Sequence, residues 1–223
     1  MNRKYNRLML QIRLLGHLQI FNGDVPLPPL NPPKALALLA YLLLRRERPI
    51  PRDQVAFTLW ADASESQARA NLRRHLHLLR SGLPAPRDNQ PWALAEHGPV
   101  QWNGESDFWL DVAAFEEASD LRQGIGESIS RLQSAIEIYR GDLLENFYED
   151  WALTERQRLR ERFTDALTRL EALQESAGDF RGAILTAKRL LAHDPLREET
   201  HRSLMQLHYL AGDRAAALGL FED

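Results

Sequence analysis

An internal repeat constrains this chain more than any other feature. Ala177-Gly178-Asp179 returns as Ala211-Gly212-Asp213, 34 positions later, and Leu170, Leu173 and Ala183 return as Leu204, Leu207 and Ala217 at the same offset. A 34-residue period with glycine at the turn and alanine at close-packing positions is that of stacked helix pairs of the tetratricopeptide kind. Asp194-Pro195 falls where one helix should end and the next begin. From position 111 onward proline is nearly absent, and the pattern predicts helices over 112–122, 127–140, 148–176, 180–193, 197–211 and from 213. The last of these carries Leu218 and Phe221 with no polar capping helix after it, so a continuation of the chain or a partner is expected to cover it. Such a solenoid is a binding surface and specifies no chemistry by itself.

The first half reads differently. Leu10, Ile12 and Leu14, then Leu18 and Ile20, alternate with polar residues and are punctuated by Gly16 and Asn22-Gly23, which predicts strand, turn and strand. Pro26, Pro28, Pro29, Pro32 and Pro33 should forbid regular pairing and mark a loop. Asn31 is placed to cap the next helix, with Pro32 at its first position; that helix is apolar nearly all round, runs to Pro49 and belongs in the middle of its domain. A short helix follows over 53–60. A third, capped by Ser64 or Ser66, runs to Gly82.

On this third helix Ala68, Leu72, Leu76, Leu79 and Leu83 form one seam. The opposite face gathers Ala70, Arg74, His77 and Ser81, flanked by Asn71, Arg73, Leu78 and Arg80. The segment from Pro91 to Asp111 then reads as short strands, with turns at Glu96–Pro99 and at Asn103-Gly104. Strands, helix, short helix, polar-faced helix and hairpin is the order of a winged helix-turn-helix, whose third helix enters the DNA major groove. Arginine and histidine on that face can reach guanine edges and phosphates, and small Ala70 and Ser81 permit a close approach. The fold class expected is therefore mainly α with a small β component: a winged helix over 1–110, then an all-α tetratricopeptide-like domain over 111–223.

Charge divides along the same boundary. Residues 1–110 hold fourteen Lys/Arg against nine Asp/Glu, a net +5, whereas residues 111–223 carry a net −8. A basic half suits a phosphate backbone, and an acidic half suits other partners. The chain has no cysteine, which removes disulfides, thiolate metal sites and a cysteine nucleophile. Its longest apolar run, ALALLAYLLL at 35–44, is half of what a membrane span of about 20 residues needs. With no signal peptide read at the N-terminus, a cytoplasmic protein away from the membrane is expected. No GxxxxGK[ST] is present. His75 and His77 lie about 200° apart on a helix and cannot share a metal. His201 and His208, and the carboxylates Glu149, Asp150 and Glu155, suggest surface or packing roles. Trp60 and Trp109 read as packing residues. No enzyme, metal or cofactor is expected.

Taken in order, these segments resemble the SARP family of bacterial regulators, which join an OmpR-type winged helix to a bacterial transcriptional activator domain. The resemblance rests on IRLLGHLQIFNG, KALALLAYLLLRRERPIPRDQVAFTLW, ARANLRRHLHLLRSGL, SDFWLDVAAFE, YRGDLLENFYEDWALTERQRLRERFTDALTRLEAL and HDPLREETHRSLMQLHYLAGDRAAAL. It implies double-stranded promoter DNA as partner, commonly at direct repeats, with RNA polymerase contacted by the helical domain and a homodimer forming on DNA. Carried onto this chain, it makes Arg69, Arg73, Arg74, His77 and Arg80 candidate DNA contacts, joined by Asn71 on the flank of the same strip. His75 and His77 stand where relatives often carry other polar residues, so base preference does not carry over. The competing reading is a protein-interaction scaffold whose winged helix docks protein. The alternation of Arg and Leu on the third helix favours DNA, because a docking face would be more apolar.

Overall fold

The computed structural model describes residues 9–86, 90–95, 98–120 and 125–222. In chain order the elements are β1 (Leu10–Arg13), β2 (Gln19–Asn22), β3 (Val25–Pro26), α1 (Pro33–Leu44), α2 (Arg52–Leu59), α3 (Glu65–Gly82), β4 (Ala93–Leu94), β5 (Gln101–Trp102), β6 (Phe108–Leu110), α4 (Asp111–Ser119), α5 (Ile125–Ile138), α6 (Asp150–Ser176), α7 (Phe180–His193), α8 (Glu198–Leu210) and α9 (Arg214–Glu222). They form two compact units. The first runs to Val112 and also takes in Leu143–Thr154; the second comprises Ala113–Asp142 and Glu155–Asp223. The architecture is a winged helix-turn-helix followed by a tetratricopeptide-like helical array.

In the first unit, α1 is the hub. Eight of its twelve residues are buried, from Ala35 to Leu43, as its all-round apolar sequence requires. Its N-cap is Pro32, without a side-chain hydrogen bond, so the expected Asn31 cap is not formed. The helix also stops at Leu44, short of Pro49, where Arg45 and Arg46 turn back onto the carbonyls of Leu42 and Leu43. The four-stranded sheet has the order β3-β2-β1-β6. Pro26 is paired in it, opposite Phe21, contrary to the expectation of a plain loop. The sheet accepts this proline because β3 lies at its edge, and the next amide, Leu27 N–H, supplies the bond to Ile20 O at 2.8 Å.

β6 runs parallel to β1, pairing Leu10 with Phe108 and Ile12 with Leu110. It delivers Asp111 to the end of β1, where Leu14 and Leu15 have left the sheet. The Asp111 carboxylate accepts from the amides of Leu14, Leu15 and Val112 at 2.8–2.9 Å. Residues 143–154 complete this unit. Leu143 bridges Leu15, Leu144 N–H donates to Leu14 O at 2.9 Å, and Trp151 meets the Tyr41 ring edge-on at 5.3 Å. Glu149 reaches Lys34 at 3.1 Å and Glu145 reaches His17 at 3.3 Å. With Asp111, Glu145, Glu149 and Asp150 included, the first unit has a formal charge of +1 and the second −4, a smaller contrast than the two sequence halves suggest.

The second unit shows the repeat as repeated geometry. Gly178 and Gly212 take φ of +75° and +85°. Asp179 N–H closes onto Gln174 O and Asp213 N–H onto His208 O, both at 2.9 Å. Asp179 then caps α7 through Gly182 N–H, and Asp213 makes the equivalent bond to Ala216 N–H at 3.0 Å. One turn is thus built twice, 34 residues apart. Ala183, Ala187, Leu204 and Leu207 form the core between α7 and α8. Among the described residues, no helix is long and apolar enough to cross a membrane.

Candidate nucleic-acid interface

α3 presents the polar strip on a buried spine. Ala68, Leu72, Leu76 and Leu79 are buried, and Leu72 is only 1% exposed. Of the two possible caps Ser64 is the one used: its Oγ accepts from Gln67 N–H at 3.4 Å. Glu65 occupies the first turn and Arg80 the last, each of the sign that the helix dipole favours there. The spine packs α3 against α1 and α2 and so fixes which side faces out.

Arg73, Arg74, His77, Arg80 and Ser81 lie on the outer face and are exposed. Among the described residues none of the three arginines forms an ion pair. Arg73 and Arg80 are seven residues apart and share one side of the helix, with His77 and Arg74 farther round toward the middle of the outer face. Ser81 turns its hydroxyl back onto His77 O and Leu78 O at 3.1 and 3.2 Å, which keeps the end of the strip low.

Two of the six candidates are engaged within the protein. Arg69 donates through Nε and Nη2 to the two carboxylate oxygens of Asp53, at 2.8 and 3.0 Å. Glu65 lies 3.2 Å from the same Nη2, and the guanidinium sits 5.4 Å from the Phe57 ring centroid. The Arg69 bonds hold the Asp53 carboxyl below the usual range, and Asp53 in turn raises Arg69. Asn71 is half-buried and accepts from Gln67 Nε2 at 3.0 Å. His75 faces inward, as its position implies. Its Nδ1 lies 2.7 Å from Asn71 O and its ring is 4.9 Å from Trp60.

The β4–β5 hairpin stands beside this helix pair in sequence and is braced from below. Trp92 and Trp102 stack at 5.7 Å, and Trp92 Nε1 donates to Pro84 O at 2.7 Å. Ile50 and Val100 exchange two backbone bonds at 2.8 Å, and Arg52 at the start of α2 donates to Ala95 O. Part of the expected hairpin turn, Glu96 and His97, lies outside the described residues. Among the described residues, no cluster of His, Asp and Glu is arranged to hold a metal ion. The sequence missed the Arg69–Asp53 fork and the Asp111 clasp, because neither forms a motif of close spacing.

Comparison with known proteins sets this geometry in a family. The model of the bacterial transcriptional activator domain matches residues 110–223. The chain belongs to the bacterial transcriptional activator domain family. This membership bears out the SARP-type resemblance, and the relatives of the family protein extend over its winged helix as well. Transcriptional regulatory protein EmbR of Mycobacterium tuberculosis (strain ATCC 25618 / H37Rv) is 28% identical over 226 residues, covering 95% of this chain and 56% of EmbR. Transcriptional regulatory protein MoaR1 of the same strain is 26% identical over 225 residues, covering 95% of this chain and 70% of MoaR1. The structure of Mycobacterium tuberculosis EmbR in complex with a low-affinity phosphopeptide shares the fold, with a TM-score of 0.70 over 96% of this chain and 58% of that one, at 23% identity. This bacterial transcriptional activator domain protein thus spans little more than half the length of EmbR.

Proposed function

We propose that this chain is a sequence-specific DNA-binding transcriptional regulator, an activator, that reads promoter DNA through α3 and the β4–β5 wing. The observation that carries the reading is the outer face of α3. Three exposed arginines and a histidine stand on a helix whose opposite side is locked into the core. The relatives EmbR and MoaR1 are named transcriptional regulatory proteins, which supports the same conclusion. DNA binding is assigned to residues 1–110 and the activator role to 111–223, with 143–154 lending their side chains to the first compact unit. The acidic helical array, net −4 outside that strap, is the surface for RNA polymerase or another protein, and a homodimer assembles on direct repeats. The protein works in the cytoplasm, without catalysis.

Arg73 and Arg80 on one edge of the strip hold phosphates, while Arg74 and His77 at its centre face base edges. The test is binding of purified variants to a panel of duplexes. Arg73→Ala and Arg80→Ala should weaken every duplex alike. Arg74→Ala and His77→Ala should alter sequence preference as well. Equal losses on every duplex from all four variants would contradict the division of roles.

A further inference from the structure

Arg69 lies on the same helix as the exposed arginines, yet its surroundings are different. Its guanidinium is held by both oxygens of Asp53 from α2 and by Glu65 one turn back on α3. The aromatic ring of Phe57, also on α2, lies beneath it. A two-pronged Arg–carboxylate pair fixes the relative orientation of two groups more tightly than a single contact. Here those groups belong to the two helices of the helix-turn-helix, 16 residues apart. The cluster of Asp53, Glu65 and Arg69 also carries a net charge of −1, so a phosphate meets no excess positive charge there.

Resting on the DNA-binding reading above, we infer that Arg69 is a positioning residue that sets the angle of α3 against α2, and that it neutralises no phosphate. Arg73 and Arg80, with no carboxylate on them among the described residues, are the phosphate-neutralising arginines. The distinction has a thermodynamic signature. Each neutralised phosphate contributes about −0.9 to the slope of log K against log salt on B-DNA, because it releases condensed counterions. A residue that only orients the helix changes affinity and selectivity and leaves that slope alone.

The experiment measures binding of the full chain to a selected duplex and to an unrelated one between 50 and 200 mM salt. It compares wild type, Arg69→Gln, Arg73→Gln and Asp53→Asn, with far-UV circular dichroism to establish that each is folded. Arg73→Gln should flatten the slope by about 0.9. Arg69→Gln should keep the wild-type slope while reducing the ratio of specific to non-specific affinity several-fold, because α3 no longer enters the groove at one fixed angle. Asp53→Asn should steepen the slope by up to about 0.9, since it releases the Arg69 charge to the DNA. A slope flattened by Arg69→Gln as much as by Arg73→Gln overturns the inference and leaves DNA binding standing. A wild-type chain with no salt-sensitive binding to either duplex overturns both.

Discussion

Replacing Asp111 with alanine should unfold the winged helix more effectively than most changes to its apolar core. The carboxylate is 3% exposed and accepts from three amides, those of Leu14, Leu15 and Val112, which are themselves nearly inaccessible to water. An unsatisfied buried donor costs about 1–3 kcal/mol, so three of them cost about 3–9 kcal/mol, a large part of an ordinary domain's stability. Asp111→Asn keeps one acceptor oxygen and sets its amide against a donor, at a cost of about 1–3 kcal/mol. Burial pushes the Asp111 pKa up from 3.8 to about 6, against the opposing pull of the three amides and Arg13. The native state therefore holds the proton more tightly than the unfolded chain does. The stabilisation from this group is complete below about pH 4 and disappears as pH rises through 6, a change of roughly 3 kcal/mol. The deficit of Asp111→Asn should accordingly be larger at pH 4 than at pH 7. Urea unfolding followed by tryptophan fluorescence measures this cleanly, because all five tryptophans lie in the first compact unit. An Asp111→Ala protein within 1 kcal/mol of wild type, or an Asn deficit independent of pH, would refute the reasoning.

Other perturbations have equally definite expectations. Trp151→Ala should destabilise the winged helix by about 3–5 kcal/mol, although residue 151 lies beyond the sequence of the wing, because its ring packs on Tyr41; an unchanged tryptophan-monitored unfolding midpoint would show that the strap is not part of that core. Leu72→Ala removes the most central side chain of the α3 seam and should cost about 2–5 kcal/mol by chemical denaturation, together with DNA binding at temperatures where wild type binds. Gly178→Ala places a Cβ where nothing lies within 4 Å, so only the left-handed backbone opposes it; a loss of about 1–2 kcal/mol, read from thermal unfolding of the helical array, is expected and a neutral result would contradict the turn geometry.

What the sequence made visible was what depends on near neighbours. The AGD turns declared themselves through a glycine that must adopt positive φ and an aspartate that caps the next helix, both within four residues. The α3 seam was visible because helical periodicity converts spacing into a face. The Asp111 clasp was hidden: its main partners are backbone amides 96 and 97 positions away, which carry no side-chain signature. The strap at 143–154 was hidden for a related reason, since Leu143 and Leu144 sit between helical segments and Trp151 lies in the first turn of α6, so they read as local loop and helix-start residues until Leu14 and Tyr41 are placed against them. Pro26 misled because its effect on pairing depends on whether its strand is at the sheet edge, a property of topology. In the candidate interface, exposure of Arg73, Arg74, His77 and Arg80 followed from the periodicity, whereas the capture of Arg69 by Asp53 required the packing of α2 on α3.

The central claim, that α3 and the wing read DNA sequence, is tested most directly by selection of the purified chain against random double-stranded DNA at 50 and 200 mM salt. A short motif, arranged as a direct repeat, should be enriched, and for about six neutralised phosphates affinity should fall about a thousandfold between the two conditions. No enriched motif, together with no salt-sensitive binding to bulk DNA, would contradict it and leave a winged helix that docks protein.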